Sequence, residues 1–151
     1  MARHFTLDAA RALLPRIGRL IRDSVQAKAR YQESEAYLRE LGQRILMTGG
    51  MAIDTSAVEV RRTQRESSAQ LLKQSLDEIE ELGILVKDLN VGLVDFPTLY
   101  LGEEVYLCWR MDEDDIGYWH GVHEGFAGRK EIDEHFIRNH RGPNDAGGDV
   151  N

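Results

Sequence analysis

The stretch Gly83-Ile84-Leu85-Val86-Lys87-Asp88-Leu89-Asn90-Val91-Gly92-Leu93-Val94-Asp95-Phe96-Pro97 is where the hydrophobic period of the chain changes. Before Gly83 apolar residues recur at spacings of three and four, as on a helix packed against helices. After it they form short β-branched and aromatic runs at Ile84-Leu85-Val86, Leu93-Val94-Asp95-Phe96 and Val105-Tyr106-Leu107-Cys108-Trp109. Such runs, separated by turn residues, read as strands. The turns Asn90-Val91-Gly92 and Tyr100-Leu101-Gly102-Glu103 are short enough for an antiparallel meander, and Pro97 closes the second strand or marks its edge.

Upstream, Phe5-Thr6-Leu7-Asp8 reads as a helix start. Thr6 serves as N-cap, Asp8 lies near the positive end of the dipole, and Phe5 can staple onto Ala10. Pro15 is too deep for a first-turn proline and predicts a kink. The stripe Leu13, Ile17, Leu20, Ser24, Ala27, Tyr31, Ser34, Leu38, Leu41, Ile45 continues the helix, with small residues that permit close approach. Gly49-Gly50 reverses the chain. Asp54-Thr55 caps a second helix whose stripe is clear at Ala69, Leu72, Leu76 and Ile79 and which ends at Gly83. Its first half carries Arg61, Arg62 and Arg65 on or beside the seam. Arg stems snorkelling to water are the simple reading. An inter-helix pair such as Glu35 with Arg65, a charged interface or an anion site is the sharper one.

Downstream, Met111-Asp112-Glu113-Asp114-Asp115 can open a short helix through Ile116, Tyr118, Trp119 and His120. These elements define an α+β fold: a long antiparallel helical hairpin packed with a small three-stranded antiparallel sheet and a short C-terminal helix. Residues 1–140 read as a single domain and 141–151 as a disordered tail.

The 151 residues carry a formal charge of −7, with 42% hydrophobic and 30% charged residues. That balance excludes broad phosphate-backbone binding, so no nucleic-acid partner is expected. A single cysteine, Cys108, cannot form an internal disulfide. No apolar run approaches the roughly 20 residues that span a bilayer, and Met1-Ala2-Arg3-His4-Phe5-Thr6 lacks the apolar stretch expected of a signal peptide. A cytoplasmic protein without membrane contact is the expectation. A long hairpin over a small sheet leaves apolar helix surface uncovered, which predicts a homo-oligomer, a dimer in the first instance, formed through the hairpin.

The motifs Gly83-Ile84-Leu85-Val86-Lys87-Asp88, Gly92-Leu93-Val94-Asp95-Phe96-Pro97, Val105-Tyr106-Leu107-Cys108-Trp109 and Tyr118-Trp119-His120, with Gly125-Phe126-Ala127-Gly128-Arg129, resemble a bacterial family catalogued as domain of unknown function 2203. The resemblance runs from Phe5-Thr6-Leu7 and Leu13-Leu14-Pro15 to about Ile132. It implies helices followed by a small sheet, and no established activity. The motif polar residues are Lys87, Asp88, Asp95, Cys108, Trp109, Trp119, His120 and Arg129. His123 departs from the pattern, so a metal set using it would not be general to the family.

If the first two strands pair through a two-residue turn at Val91-Gly92, Asp88 faces Asp95 across the ladder. Like charges so placed call for a cation, a proton or a basic side chain. The inference depends on turn length, since a one-residue slip puts one acid on the other face. The alternative is that either acid accepts backbone N–H groups in a turn, or pairs with Lys87, Arg110 or Arg129 at the sheet rim. The functional reading is a ligand site lined by Asp88, Asp95 and His120, with Arg129 for an anion and Trp109 and Trp119 as walls, although both tryptophans serve equally as core anchors. His120, His123 and Glu124 stand at i, i+3 and i+4, so one helical turn would aim them, with Asp95, at a divalent metal such as Zn. Glycines at 121 and 125 weaken that turn. Cys108, between Leu107 and Trp109, reads as a buried inert thiol. Two functions follow: a self-associating hairpin protein without catalysis, or a divalent-metal or small-anion binder, extending to hydrolase-like chemistry, built on Asp88, Asp95 and His120. Whether the chain is an enzyme stays open.

Overall fold

A computed structural model describes residues 3–49 and 53–141; the tail expected to be disordered lies outside them but for its first residue. The chain divides into two compact units, one of Met1–Arg22 with Leu76–Asn151 and one of Asp23–Ser75. Helix α1 spans Leu7–Thr48, with Pro15 inside it, and α2 spans Thr55–Glu81. Both starts follow the capping logic. Thr6 Oγ1 accepts from Ala9 N at 3.0 Å, and Asp54 Oδ1 accepts from Ser56 N and Ala57 N at 3.0 and 3.2 Å. The α2 end is a glycine turn: Gly83, at φ +87°, follows the last turn, and Ile84 N donates back to Ile79 O.

In the unit of Asp23–Ser75, the small residues of the stripe form the seam of an antiparallel helix pair, with Ser24, Ala27, Ser34 and Ser68 buried. Arg65 Nη1 donates to Glu35 Oε1 at 3.0 Å across that seam. The inter-helix pair is thus present, with both side chains one-third exposed.

The other unit holds a sheet of five strands in the order β1 (Leu85–Asp88), β2 (Leu93–Tyr100), β3 (Glu103–Arg110), β4 (Tyr118–Gly121) and β5 (Lys130–Glu131), every pairing antiparallel. A two-residue strand β6 (His140–Arg141) adds to β2. The three-stranded sheet expected from the sequence is a correction: its strands are the first three, and β4 and β5 extend the sheet beyond them. The expected helix over 112–120 is a correction: Tyr118–Gly121 is a strand. Its acids are spent on the turn that precedes it. Arg110 N donates to Glu113 Oε1 at 2.8 Å, Trp109 Nε1 to Glu113 O at 3.0 Å, and Arg110 Nε to Asp112 Oδ1 at 2.6 Å. The short C-terminal helix is instead α3, Glu134–Asn139, capped by Asp133, whose Oδ1 accepts from Phe136 N.

Side-chain alternation divides the sheet. Val94, Phe96 and Thr98, Leu107 and Trp109, and Trp119 share the inner face by register. Phe5 meets Phe96 edge-on at 5.6 Å, and Phe136 stacks on Trp119 at 5.1 Å. With Ile17, Ile21, Ile79, Ile84 and Ile116, all essentially unexposed, these residues are the core of this unit. Burying such side chains stabilises by about 1.5–3 kcal/mol each relative to exposure.

Candidate functional site

The opposite face of the sheet carries the polar cluster. Asp95 on β2 stands across from Cys108 on β3, which stands across from Tyr118 on β4; one pair along, Tyr106 faces His120. These side chains therefore share one face. An outer face of a helix-backed sheet is ordinarily wet, yet Asp95, Cys108 and His120 are 1%, 0% and 3% exposed. The segment after β4 supplies cover. Phe126–Gly128 forms a 3-10 turn, and the guanidinium of Arg129 lies over the rings of Tyr118 and Phe126 at 4.1 and 4.7 Å. Lys87 lies over the Tyr106 ring at 5.1 Å.

His120 Nε2 and Asp95 Oδ1 are 3.0 Å apart. His120 Nδ1 lies 2.8 Å from Gly121 O, an acceptor only, so Nδ1 carries a hydrogen and donates it. Nε2 then points at Asp95, and one proton lies between the two atoms. Burial raises the Asp95 carboxyl above the ordinary carboxylate range, opposed by His120, Lys87 and the Cys108 thiol. Its second oxygen, Oδ2, is buried without a hydrogen-bond partner. Cys108 completes the cluster. Its sulfur, a carboxylate oxygen of Asp95 and a ring nitrogen of His120 lie within 4.8 Å of one another. Burial and the neighbouring Asp95 push its thiol up to about 12, against the pull of Arg129.

The other sequence candidates fall elsewhere. Asp88 does not face Asp95, which is a correction: the turn between the strands holds four residues, Leu89–Gly92, so Asp88 stands opposite Leu93, and a bulge at Lys87 then sets Leu85 opposite Asp95. Asp88 is exposed, and its Oδ1 accepts from Asn90 N at 2.9 Å, the turn role. His123 and Glu124 do not join His120 on a helical turn, because His120 belongs to a strand. His123 is exposed. Glu124 Oε1 accepts from Gly121 N at 2.8 Å and from Lys130 Nζ, and these contacts hold its carboxyl below the usual range. Arg129 is engaged with Glu113, its Nη2 spanning both oxygens at 2.7 and 3.0 Å, and also reaches Cys108 O at 3.4 Å. Trp109 and Trp119 lie on the inner face as core residues. Cys108 is the member that sequence reasoning passed over. Counting equal steps back from the Leu101-Gly102 turn would have set it opposite Asp95.

Fold and cluster together define an α+β protein with a buried carboxylate–thiol–imidazole set on the outer face of its sheet. The chain belongs to the uncharacterized conserved protein family DUF2203, whose profile matches residues 3–132. No curated protein and no solved structure matches it. No helix among the described residues is long and apolar enough to cross a membrane.

Proposed function

We propose that this protein binds one divalent transition-metal ion through Asp95, Cys108 and His120. The observation that carries the reading is the convergence of three donor atoms, one from each of three adjacent strands, beside a buried carboxylate oxygen that has no partner. Imidazole nitrogen, thiolate sulfur and carboxylate oxygen are the donors zinc takes, in three-ligand sites that leave a fourth position for water or substrate. The bond from Nδ1 to Gly121 O presents Nε2 as the ligand, the usual outer contact of a metal-bound histidine. A cation also answers the electrostatics, since it stabilises the thiolate and carboxylate that burial opposes.

The test is metal content by mass spectrometry on untagged protein, then titration of chelated protein with Co(II) or Zn(II). One equivalent per chain, a Co(II)–thiolate absorption band and loss of both on Cys108→Ala or His120→Ala support the reading. No stoichiometric metal and no thermal shift on adding zinc overturn it.

Self-association through the hairpin is a second reading, supported by its turn end. Leu46 and Met47 are 85% and 86% exposed, and a groove of about 550 Å³ is lined by Leu38, Leu41, Ile45, Ile53 and Val58. Its rim holds both signs in Glu59, Arg62 and Arg65. A two-fold copy can meet each with its opposite, so a second copy of this chain is the proposed occupant. Light scattering after size exclusion checks it, and a monomer at high concentration rejects it.

A further inference from the structure

A second polar site lies in the helical unit, apart from the metal cluster. A cleft of about 320 Å³ opens between α1 and α2, and Ser34 and Ser68 lie in it, 1% and 5% exposed. Serines inside helices commonly return their hydroxyl to a carbonyl four residues back, and the neighbouring Ser67 does so, donating to Thr63 O at 2.8 Å. No such return bond is seen at Ser34 or Ser68 among the described residues, and both line the cleft. Two guanidiniums line the same cleft. Arg30 has no ion-pair or hydrogen-bond partner among the described residues, and neither has Arg61, whose one contact is the face of Tyr37 at 4.7 Å. That stacking holds the Arg61 plane while leaving its N–H edge to donate.

Nearby arginines are treated differently. Arg65 is bound to Glu35, and Arg62 to Glu59 at 3.4 Å. Glu33 shares the cleft without bonding either free guanidinium, so two cations stand against one acid in a chain whose net charge is −7. With the Gln64 amide, the lining offers donors from both helices.

We infer that this cleft is a binding site for a tetrahedral oxyanion, a phosphate or a phosphoryl group, held by Arg30 and Arg61 with the hydroxyls of Ser34 and Ser68. Guanidiniums match such an anion through paired N–H donors, and a tetrahedral group presents oxygens to more than one wall at once.

The experiment is calorimetric titration of the full chain with inorganic phosphate and, separately, with methyl phosphate, at low ionic strength. Saturable binding of one ion per chain, with a dissociation constant of about 1 mM or tighter, is the expected result. Arg61→Gln and Arg30→Gln each weaken it about tenfold, and the Ser34→Ala, Ser68→Ala double variant weakens it severalfold. Arg44→Gln, at a guanidinium bound to Glu40, leaves it unchanged. Tighter binding of methyl phosphate assigns a phosphoryl group on a larger molecule; equal or weaker binding assigns the free ion. The inference is overturned if neither ligand saturates, if folded Arg30 and Arg61 variants bind like the parent, or if Arg44→Gln weakens binding as much as they do.

Discussion

Removing the imidazole from the Asp95–His120 pair tests whether the buried cluster is a coupled unit. In His120→Ala, measured on chelated protein, the Asp95 carboxyl stays 1% exposed and loses the partner of Oδ1, while Oδ2 already has none. Breaking a buried pair from one side destabilises by roughly 3–5 kcal/mol, and the cavity left by the ring acts in the same direction. The lower end applies, because the stranded carboxyl can take a proton and become neutral, so a loss of about 3 kcal/mol is expected. Urea unfolding followed by the fluorescence of Trp109 and Trp119 reads this as a midpoint lowered by about 1.5 M, for a slope of about 2 kcal/mol per M. Asp95→Asn keeps the shape, and its amide can donate to Nε2, so it loses only about 1 kcal/mol. The sign of the pH dependence follows from the raised carboxyl. The unfolded chain releases the Asp95 proton near 3.8 while the folded chain holds it, so this contribution is full below 3.8 and declines as pH rises towards the folded value. Asp95→Asn removes that decline. If His120→Ala falls within about 1 kcal/mol of the parent, or Asp95→Asn is as damaging, the pair is not coupled as argued.

With its thiol pushed up to about 12 and its side chain fully buried, Cys108 stays unreactive towards a thiol reagent at pH 8 in the native protein and reacts once urea unfolds it; rapid native labelling contradicts the packing around it. Arg129→Ala leaves Glu113, 18% exposed, without its cation and strips the cover from Tyr118, for a loss of about 3 kcal/mol by urea midpoint; below about 1 kcal/mol, solvent has replaced the pair. Gly92→Ala meets two obstacles, a φ of +67° and a new Cβ 2.6 Å from Met111 Cγ, so it should lower the melting temperature and cost about 1–2 kcal/mol from the backbone alone; an unchanged melting temperature refutes that strain.

The parts of the fold legible in sequence were those with local causes. Thr6 and Asp54 cap where capping chemistry placed them, Gly83 ends α2, and the spacing from Ile17 to Ser34 marks the buried stripe. What failed depended on non-local geometry. Asp88 faces Asp95 only across a two-residue turn; the turn holds four residues, Leu89–Gly92, and the bulge at Lys87 shifts the ladder by one more. The acids after Met111 have the composition of a helix start, but Glu113 satisfies Arg110 N and Arg129 instead, and Tyr118 pairs with β3. His120 was found for the wrong reason, as part of a helical triad, while its true neighbours lie across the ladder.

The cluster's energetics bear on which reading to pursue. On its own terms the set Asp95, Cys108, His120 is a poor stabiliser. It buries a carboxyl whose second oxygen is unsatisfied and a thiol whose ionisation burial opposes, where apolar residues of equal volume would fill the same space at no electrostatic penalty. Elsewhere in the same unit, at Phe96, Leu107 and Ile116, closely packed apolar side chains do the stabilising. A scaffold role therefore accounts for the inner face and leaves the outer one unexplained. The cation proposed above would account for it, since one charge would supply the missing partner of Oδ2, lower the thiol and hold Nε2. The same logic separates Arg30 and Arg61 from Arg65: the last has its carboxylate, and the first two are the donors of the proposed oxyanion site.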